Sequence, residues 1–139
     1  MRIGTDQLTV RASCADTDGA IFAAEITMPP GGGPPLLHRH APSEIYHVLD
    51  GEFTFYVADD TGAVGRSTAT AGAVVPIAGG RAHTIRNESG ADAIALVVYA
   101  PGEPMERFAH AAADLAAPSI DDVLALAESH GIAMLGPVP

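Results

Sequence analysis

Apolar and polar positions along the first hundred residues alternate with a short period. Leu8 to Ala12 and Ile21 to Met28 cluster apolar side chains on either side of Asp16-Thr17-Asp18-Gly19, as two strands around a loop do. Pro29 closes the second run, and Pro29 to Pro35 has no periodicity, which predicts a loop. Two β-rich runs, Ile45 to Leu49 and Phe53 to Val57, flank Asp50-Gly51, a pair that tolerates the positive φ of a tight turn. The pattern therefore predicts a hairpin. Successive strand residues face opposite ways, so Glu44, Tyr46 and Val48 share one face, and Ile45, His47 and Leu49 the other. Val64 to Thr70, Ala73 to Pro76 and His83 to Asn87 continue the series. Ala93 to Tyr99 is nearly all apolar and is expected to be buried on both faces. Many short strands separated by turns predict an antiparallel sandwich or barrel.

Near the C-terminus the period lengthens. Met105, Phe108, Ala109 and Ala112 recur at helical spacing, as do Ile120, Val123, Leu124 and Ala127. Ser119 can cap the second segment and Gly131 can end it, so two short amphipathic helices are expected within residues 103–131. A chain of 139 residues with 47% hydrophobic content is enough for one core, and one domain over residues 1–139 is expected.

Charge narrows the partners. A net charge of −10 works against an interface dominated by phosphate contacts, so nucleic acid is not expected. Every basic residue is an arginine; without lysine there is neither Schiff-base chemistry nor a Walker-type phosphate lysine. Cys14 stands alone, which rules out an intrachain disulfide and a Cys-rich zinc site and suits a cytoplasmic setting. Met1 to Asp6 is polar where a signal peptide would be basic and then apolar, and the longest apolar run is too short to span a bilayer. No membrane partner is expected.

The candidate chemistry lies in two clusters. Side chains two apart on a strand share a face, so His38 and His40 can turn toward one point, and Glu44 has the same parity. Downstream, Gly80 permits a tight turn before His83, and Asn87 can satisfy backbone groups in the next turn. Three imidazoles and one carboxylate make a mixed nitrogen and oxygen site suited to a divalent transition metal. His47, His110 and His130 lie outside these clusters and read as surface or hydrogen-bonded residues. No Gly-x-Ser-x-Gly elbow surrounds any serine. Asp59-Asp60 sits in an expected turn and Asp121-Asp122 in the first turn of the last helix, where negative charge suits the helix dipole.

Gly32, His38-Arg39-His40, Glu44 and Gly51 resemble the first cupin motif at every position, across residues 32–51. Gly72, Gly80, His83 and Asn87 resemble the second, across residues 72–87, with Ala78 where the family usually has proline and Pro76 just upstream. The resemblance implies an all-β double-stranded β-helix, a jelly-roll barrel with short C-terminal α-helices. It also implies that His38, His40, Glu44 and His83 hold one divalent transition metal: Fe, Mn, Ni, Cu or Zn. Similarity to quercetinase-like members favours an enzyme acting on a small organic molecule, a dioxygenase on an enol, hydroxy-ketone or aromatic substrate, with Glu44 as the base. The alternatives are a non-redox cyclase, isomerase or lyase in which Glu44 or Tyr46 moves a proton, and a non-catalytic binding cupin. Tyr46, sharing parity with Glu44, is expected near the site; Phe53, Phe55, Ile85 and Tyr99 are equally candidates for cavity lining and for packing. Arg39 should point away from the ligands, toward Ser43, Glu52 or a partner chain. Similar small cupins assemble through edge or terminal strands, so a homodimer is expected.

Overall fold

The computed structural model describes residues 1–139. Its strands are β1 (Arg2–Ile3), β2 (Asp6–Ala12), β3 (Phe22–Met28), β4 (Leu36–Arg39), β5 (Ser43–Asp50), β6 (Glu52–Ala58), β7 (Val64–Thr70), β8 (Val74–Ile77), β9 (His83–Arg86) and β10 (Ala93–Ala100). Helices α1 (Glu103–Ala113) and α2 (Ile120–Ser129) follow, and β11 (Ala133–Pro137) ends the chain. The strands form two antiparallel sheets, β1-β2-β3-β10-β5-β8 and β11-β4-β9-β6-β7. Between them lie Phe22, Met28, Val48, Phe53, Phe55 and Val97, each essentially without solvent contact. Burying a side chain of that size contributes about 1.5–3 kcal/mol, and a one-residue slip would turn the whole set outward, so this core sets the register.

β5 alternates as its sequence pattern requires, with Glu44, Tyr46 and Val48 buried and Ile45, His47 and Leu49 exposed. The hairpin expected at Asp50-Gly51 does not form. β5 pairs with β10 and β8, whereas β6 pairs with β7 and β9, so the turn is a corner that carries the chain from one sheet to the other. Gly51 has φ +74°, and a Cβ there would stand 2.7 Å from the Asp92 carbonyl oxygen. Positive φ is common to both kinds of turn, and the tight backbone approach is what marks this one as a corner.

β10 also departs from expectation. Ala93, Ala95 and Val97 are fully buried, but Ile94, Leu96 and Val98 on its other face are only half-buried. The strand sits between β3 and β5, and nothing packs over its outer face with the completeness of the core. β1 and β11 are short strands without a sequence signal of their own; each adds to an available edge, of β2 and of β4.

α2 has the expected cap: the Asp122 amide donates to Ser119 Oγ at 3.1 Å and the Ser119 amide returns a bond to Asp122 Oδ2 at 3.0 Å. α1 has no side-chain cap. It is tethered instead through Glu106, whose carboxylate accepts from the Cys14 amide at 2.8 Å and from Ser13 Oγ at 2.9 and 3.0 Å. No helix is long and apolar enough to cross a membrane.

Candidate metal centre

β4 and β9 are neighbours, and His38 is the direct partner of His83 in their ladder. Paired residues on an antiparallel ladder present their side chains on one face, and the two imidazoles lie 4.5 Å apart between ring centroids. His40 follows the end of β4, with its ring 5.1 Å from that of His83. Glu44 arrives from the other sheet on β5. One ring nitrogen from each of the three histidines lies within 4.8 Å of the others. Glu44 touches two of them, with Oε1 2.5 Å from His83 Nε2 and Oε2 3.8 Å from His40 Nε2. His40, Glu44 and His83 are almost wholly buried, and the His38 ring is enclosed with them although its residue as a whole keeps some solvent contact.

The second nitrogen of each ring is already in use. Nδ1 of His38 faces the Leu36 carbonyl at 3.1 Å, Nδ1 of His40 the Pro42 carbonyl at 2.9 Å, and Nδ1 of His83 the Arg81 carbonyl at 2.8 Å. A carbonyl can only accept, so Nδ1 carries the hydrogen in each ring and Nε2 of the neutral ring keeps a lone pair. His40 Nε2, His83 Nε2 and Glu44 Oε1 consequently have no hydrogen-bond partner although they are buried. Such groups are costly unless something neutralises them. A carboxylate oxygen and an imidazole lone pair 2.5 Å apart require a cation between or beside them, either a proton or a metal ion.

The electrostatics agree. Burial, reinforced by His83, pulls the His38 pKa down to about 4. Burial also lowers His40, against the opposing pull of Glu44. Burial would lower His83 as well, but the contact with Glu44 outweighs it and raises the pKa. Two rings are thus neutral ligands at pH 7, and the third shares a cation with the carboxylate. Around them the Tyr46 and Tyr99 phenols are pushed upward, first by burial and next by the Glu44 charge, so both hold their protons. Tyr99 is the ladder partner of Glu44 and lies edge-on to His40 at 6.4 Å.

Tyr99 was not separable from the packing candidates by spacing alone. Its parity with Ala93, Ala95 and Val97 on β10 is the signal that places it inward. Phe53, Phe55 and Ile85 belong to the core, with Phe55 edge-on to Tyr46 at 5.4 Å. Arg39 is exposed and bonds to neither Ser43 nor Glu52; the Ser43 hydroxyl accepts from the Gly79 amide at 2.9 Å. His47 is exposed, His110 faces Glu106 at 3.7 Å, and His130 Nδ1 donates to the Leu126 carbonyl at 2.9 Å. Ala78 and Pro76 leave the second motif's turn intact. Pro76 lies on edge strand β8, where a missing amide is tolerated, and the Gly80 amide donates to the His40 carbonyl at 2.8 Å.

Two sheets closed over a buried three-histidine cluster define a metal-binding β-barrel class. A family model described as the cupin domain matches residues 24–99, and the chain belongs to the cupin family. No curated protein matches the sequence. Among solved structures, an oxalate oxidase in complex with the substrate analogue glycolate aligns at 21% identity and TM-score 0.59, covering 70% of this chain and 52% of that one. An oxalate decarboxylase formate complex from Lactobacillus farciminis aligns at 21% identity and TM-score 0.61, covering 72% and 30%. A conserved protein with a double-stranded β-helix domain from Klebsiella pneumoniae aligns at 20% identity and TM-score 0.57, covering 73% and 82%. The chain therefore spans about half the length of the oxidase and less than a third of the decarboxylase. These likenesses are likenesses of fold: the protein is a double-stranded β-helix cupin. Its own donor set, three oriented Nε2 lone pairs with unsatisfied buried atoms, fits a divalent transition metal.

Proposed function

We propose that the protein is a metal-dependent enzyme acting on a small organic molecule, a dioxygenase whose substrate presents an enol or hydroxy-ketone oxygen. The observation that carries this reading is the orientation of the three imidazoles. Each is locked at Nδ1 by a backbone carbonyl, which leaves Nε2 free in a buried cluster where Glu44 touches His40 and His83 beside two protonated phenols. His38, His40, Glu44 and His83 would hold the metal, which when bound supplies Lewis-acid polarisation of a substrate oxygen and, if redox-active, electrons for dioxygen. Glu44 is the one carboxylate in reach of the site and is placed to accept a substrate proton. Tyr46 holds its proton and can donate a hydrogen bond to developing negative charge on an oxygen, while the apolar barrel wall excludes water.

The oxalate oxidase is solved with the substrate analogue glycolate and the oxalate decarboxylase with formate, which supports metal-assisted chemistry on a small oxygenated substrate. The test is elemental analysis of untagged protein purified without added metal or chelator, followed by dioxygen uptake with enolisable substrates. Roughly one transition metal per chain is expected. His40→Ala and His83→Ala should remove it; retention equal to the parent would sink the assignment.

The protonated Tyr46 and Tyr99 beside Glu44 also favour a second reading, a non-redox isomerase, cyclase or lyase that moves protons without dioxygen. Native zinc selects this reading, whereas Fe, Mn, Ni or Cu retains the first. We further propose that residues 1–139 act as one domain and pair as a homodimer. Ile45, Leu49 and Val74 stand exposed on β5 and the adjacent edge strand β8. A light-scattering mass near that of one chain would overturn the dimer.

A further inference from the structure

Beneath the two C-terminal helices lies an apolar cavity of about 290 Å³, close to the lower end of the roughly 300–1,000 Å³ typical of small-ligand sites. Phe108 and Leu115 come to it from α1 and the residues after it, Val123 from α2, Met134 from β11 and Pro35 from the loop before β4. Asp6 is the only charged residue on its wall.

The strand register ties this cavity to the metal centre. Met134 is the ladder partner of His38, so the two side chains stand next to each other on the same face of the sheet. Met134 thus borders both the cavity and the ligand set.

Resting on the metal-dependent reading above, we propose that this cavity holds the apolar body of the substrate, with its oxygen end reaching the metal centre past His38. The substrate is then a neutral or monoanionic molecule with an aryl or branched alkyl group. A short dianion such as oxalate does not suit the site. None of the arginines lines the cavity, and the chain has no lysine. Arg86, which lies near Asp6, spends its terminal nitrogens on the Gly33 and Gly31 carbonyls at 2.6 and 2.9 Å. The Arg86 charge is already set against Asp6, so a second carboxylate would meet Asp6 without a hydrogen-bond donor of its own. Apolar contact, in contrast, contributes about fourfold in affinity per buried methylene.

The experiment compares three probes by calorimetric titration of zinc-loaded protein whose metal content has been measured first. Pyruvate and phenylpyruvate share an oxygen end and differ by a ring; oxalate adds a second charge. Phenylpyruvate should bind on the order of 50-fold more tightly than pyruvate, and oxalate should bind no better than pyruvate. Ala112→Phe or Val123→Phe, each filling the cavity, should erase the advantage of phenylpyruvate while zinc content and pyruvate binding stay at the parental level. Two helix positions are used so that misfolding of one variant, read by circular dichroism, leaves the other informative. Tightest binding by oxalate, or an advantage that survives both substitutions, overturns the proposal. Toluene titrated into metal-free protein reads the cavity alone: binding lost in the filled variants supports it, and absence of binding to the parent overturns it. Failure to take up zinc defeats the metal assignment instead, and the toluene result separates the two failures.

Discussion

Two buried polar groups sit four residues apart around β9 and behave in opposite ways. Asn87 is fully buried, and its amide donates to the Met28 and Ala91 carbonyls at 2.8 and 2.7 Å while its oxygen accepts from the Ser89 amide at 2.9 Å. His83 is equally buried, but its Nε2 and the Glu44 oxygen facing it are left without a hydrogen-bond partner. Both residues belong to the second motif. The difference separates architecture from chemistry: a satisfied buried group holds a corner of the barrel, and an unsatisfied one waits for a ligand.

Removing a ligand is the strongest test of that contrast. Four-ligand zinc sites reach roughly 10–16 kcal/mol of apparent binding, so one ligand's share is about 3 kcal/mol, or roughly 200-fold in affinity. His83→Ala should weaken metal binding by about that factor in a competition titration with a chelator. Its circular dichroism spectrum should stay that of a folded β protein. Asn87→Ala should do the reverse. It strands several buried backbone groups at once, and a loss of about 3 kcal/mol in urea unfolding is expected, with metal content of the folded fraction unchanged. If Asn87→Ala lost metal without losing stability, the division between the two residues would be wrong.

Gly51 tests how far the sequence could be read. Alternation along β5 was visible directly and put Glu44 and Tyr46 on the inner face, as found. The two gapped motifs carried the histidines, because ligand chemistry needs specific residue types at specific spacings. What residue spacing could not show was the partner of each strand. Asp50-Gly51 looks the same whether the chain folds back in one sheet or crosses to the other, since both turns need positive φ. β11 was invisible for a related reason: Ala133–Pro137 has no strand pattern and is recruited by the edge of β4. Met134, which depends on that pairing, could not be placed beside His38 from sequence. A primed hairpin turn would accept asparagine at Gly51. A corner with a carbonyl oxygen 2.7 Å from the Cβ position would not, and Gly51→Asn should cost about 2 kcal/mol in thermal or urea unfolding. A neutral result would favour the hairpin.

Glu106 offers the smallest and most conditional effect, because it is a third buried polar group and its partners are complete. Burial would raise its pKa, but the bonds from the Cys14 amide and Ser13 outweigh this and the net shift is downward. A carboxylate lowered on folding binds fewer protons in the native than in the unfolded state between the two pKa values. Its stabilisation is therefore present above the ordinary carboxylate value of 4.5 and is lost as the pH falls through the lower folded value. Glu106→Gln keeps a carbonyl oxygen for the Cys14 amide, and the Ser13 hydroxyl can turn to accept from the new amide. The substitution should cost about 1 kcal/mol at pH of about 6, and the cost should shrink as the pH falls through the lowered folded value, where the parent loses the charge. Titrating groups away from Glu106, such as Asp6 with its raised pKa, act on parent and variant alike and cancel in the difference, and making the comparison in a His110→Ala background removes the one imidazole that faces Glu106. Urea midpoints of the pair across that range measure it. A cost independent of pH would mean that Glu106 tethers α1 by shape alone, as Asn87 holds its corner.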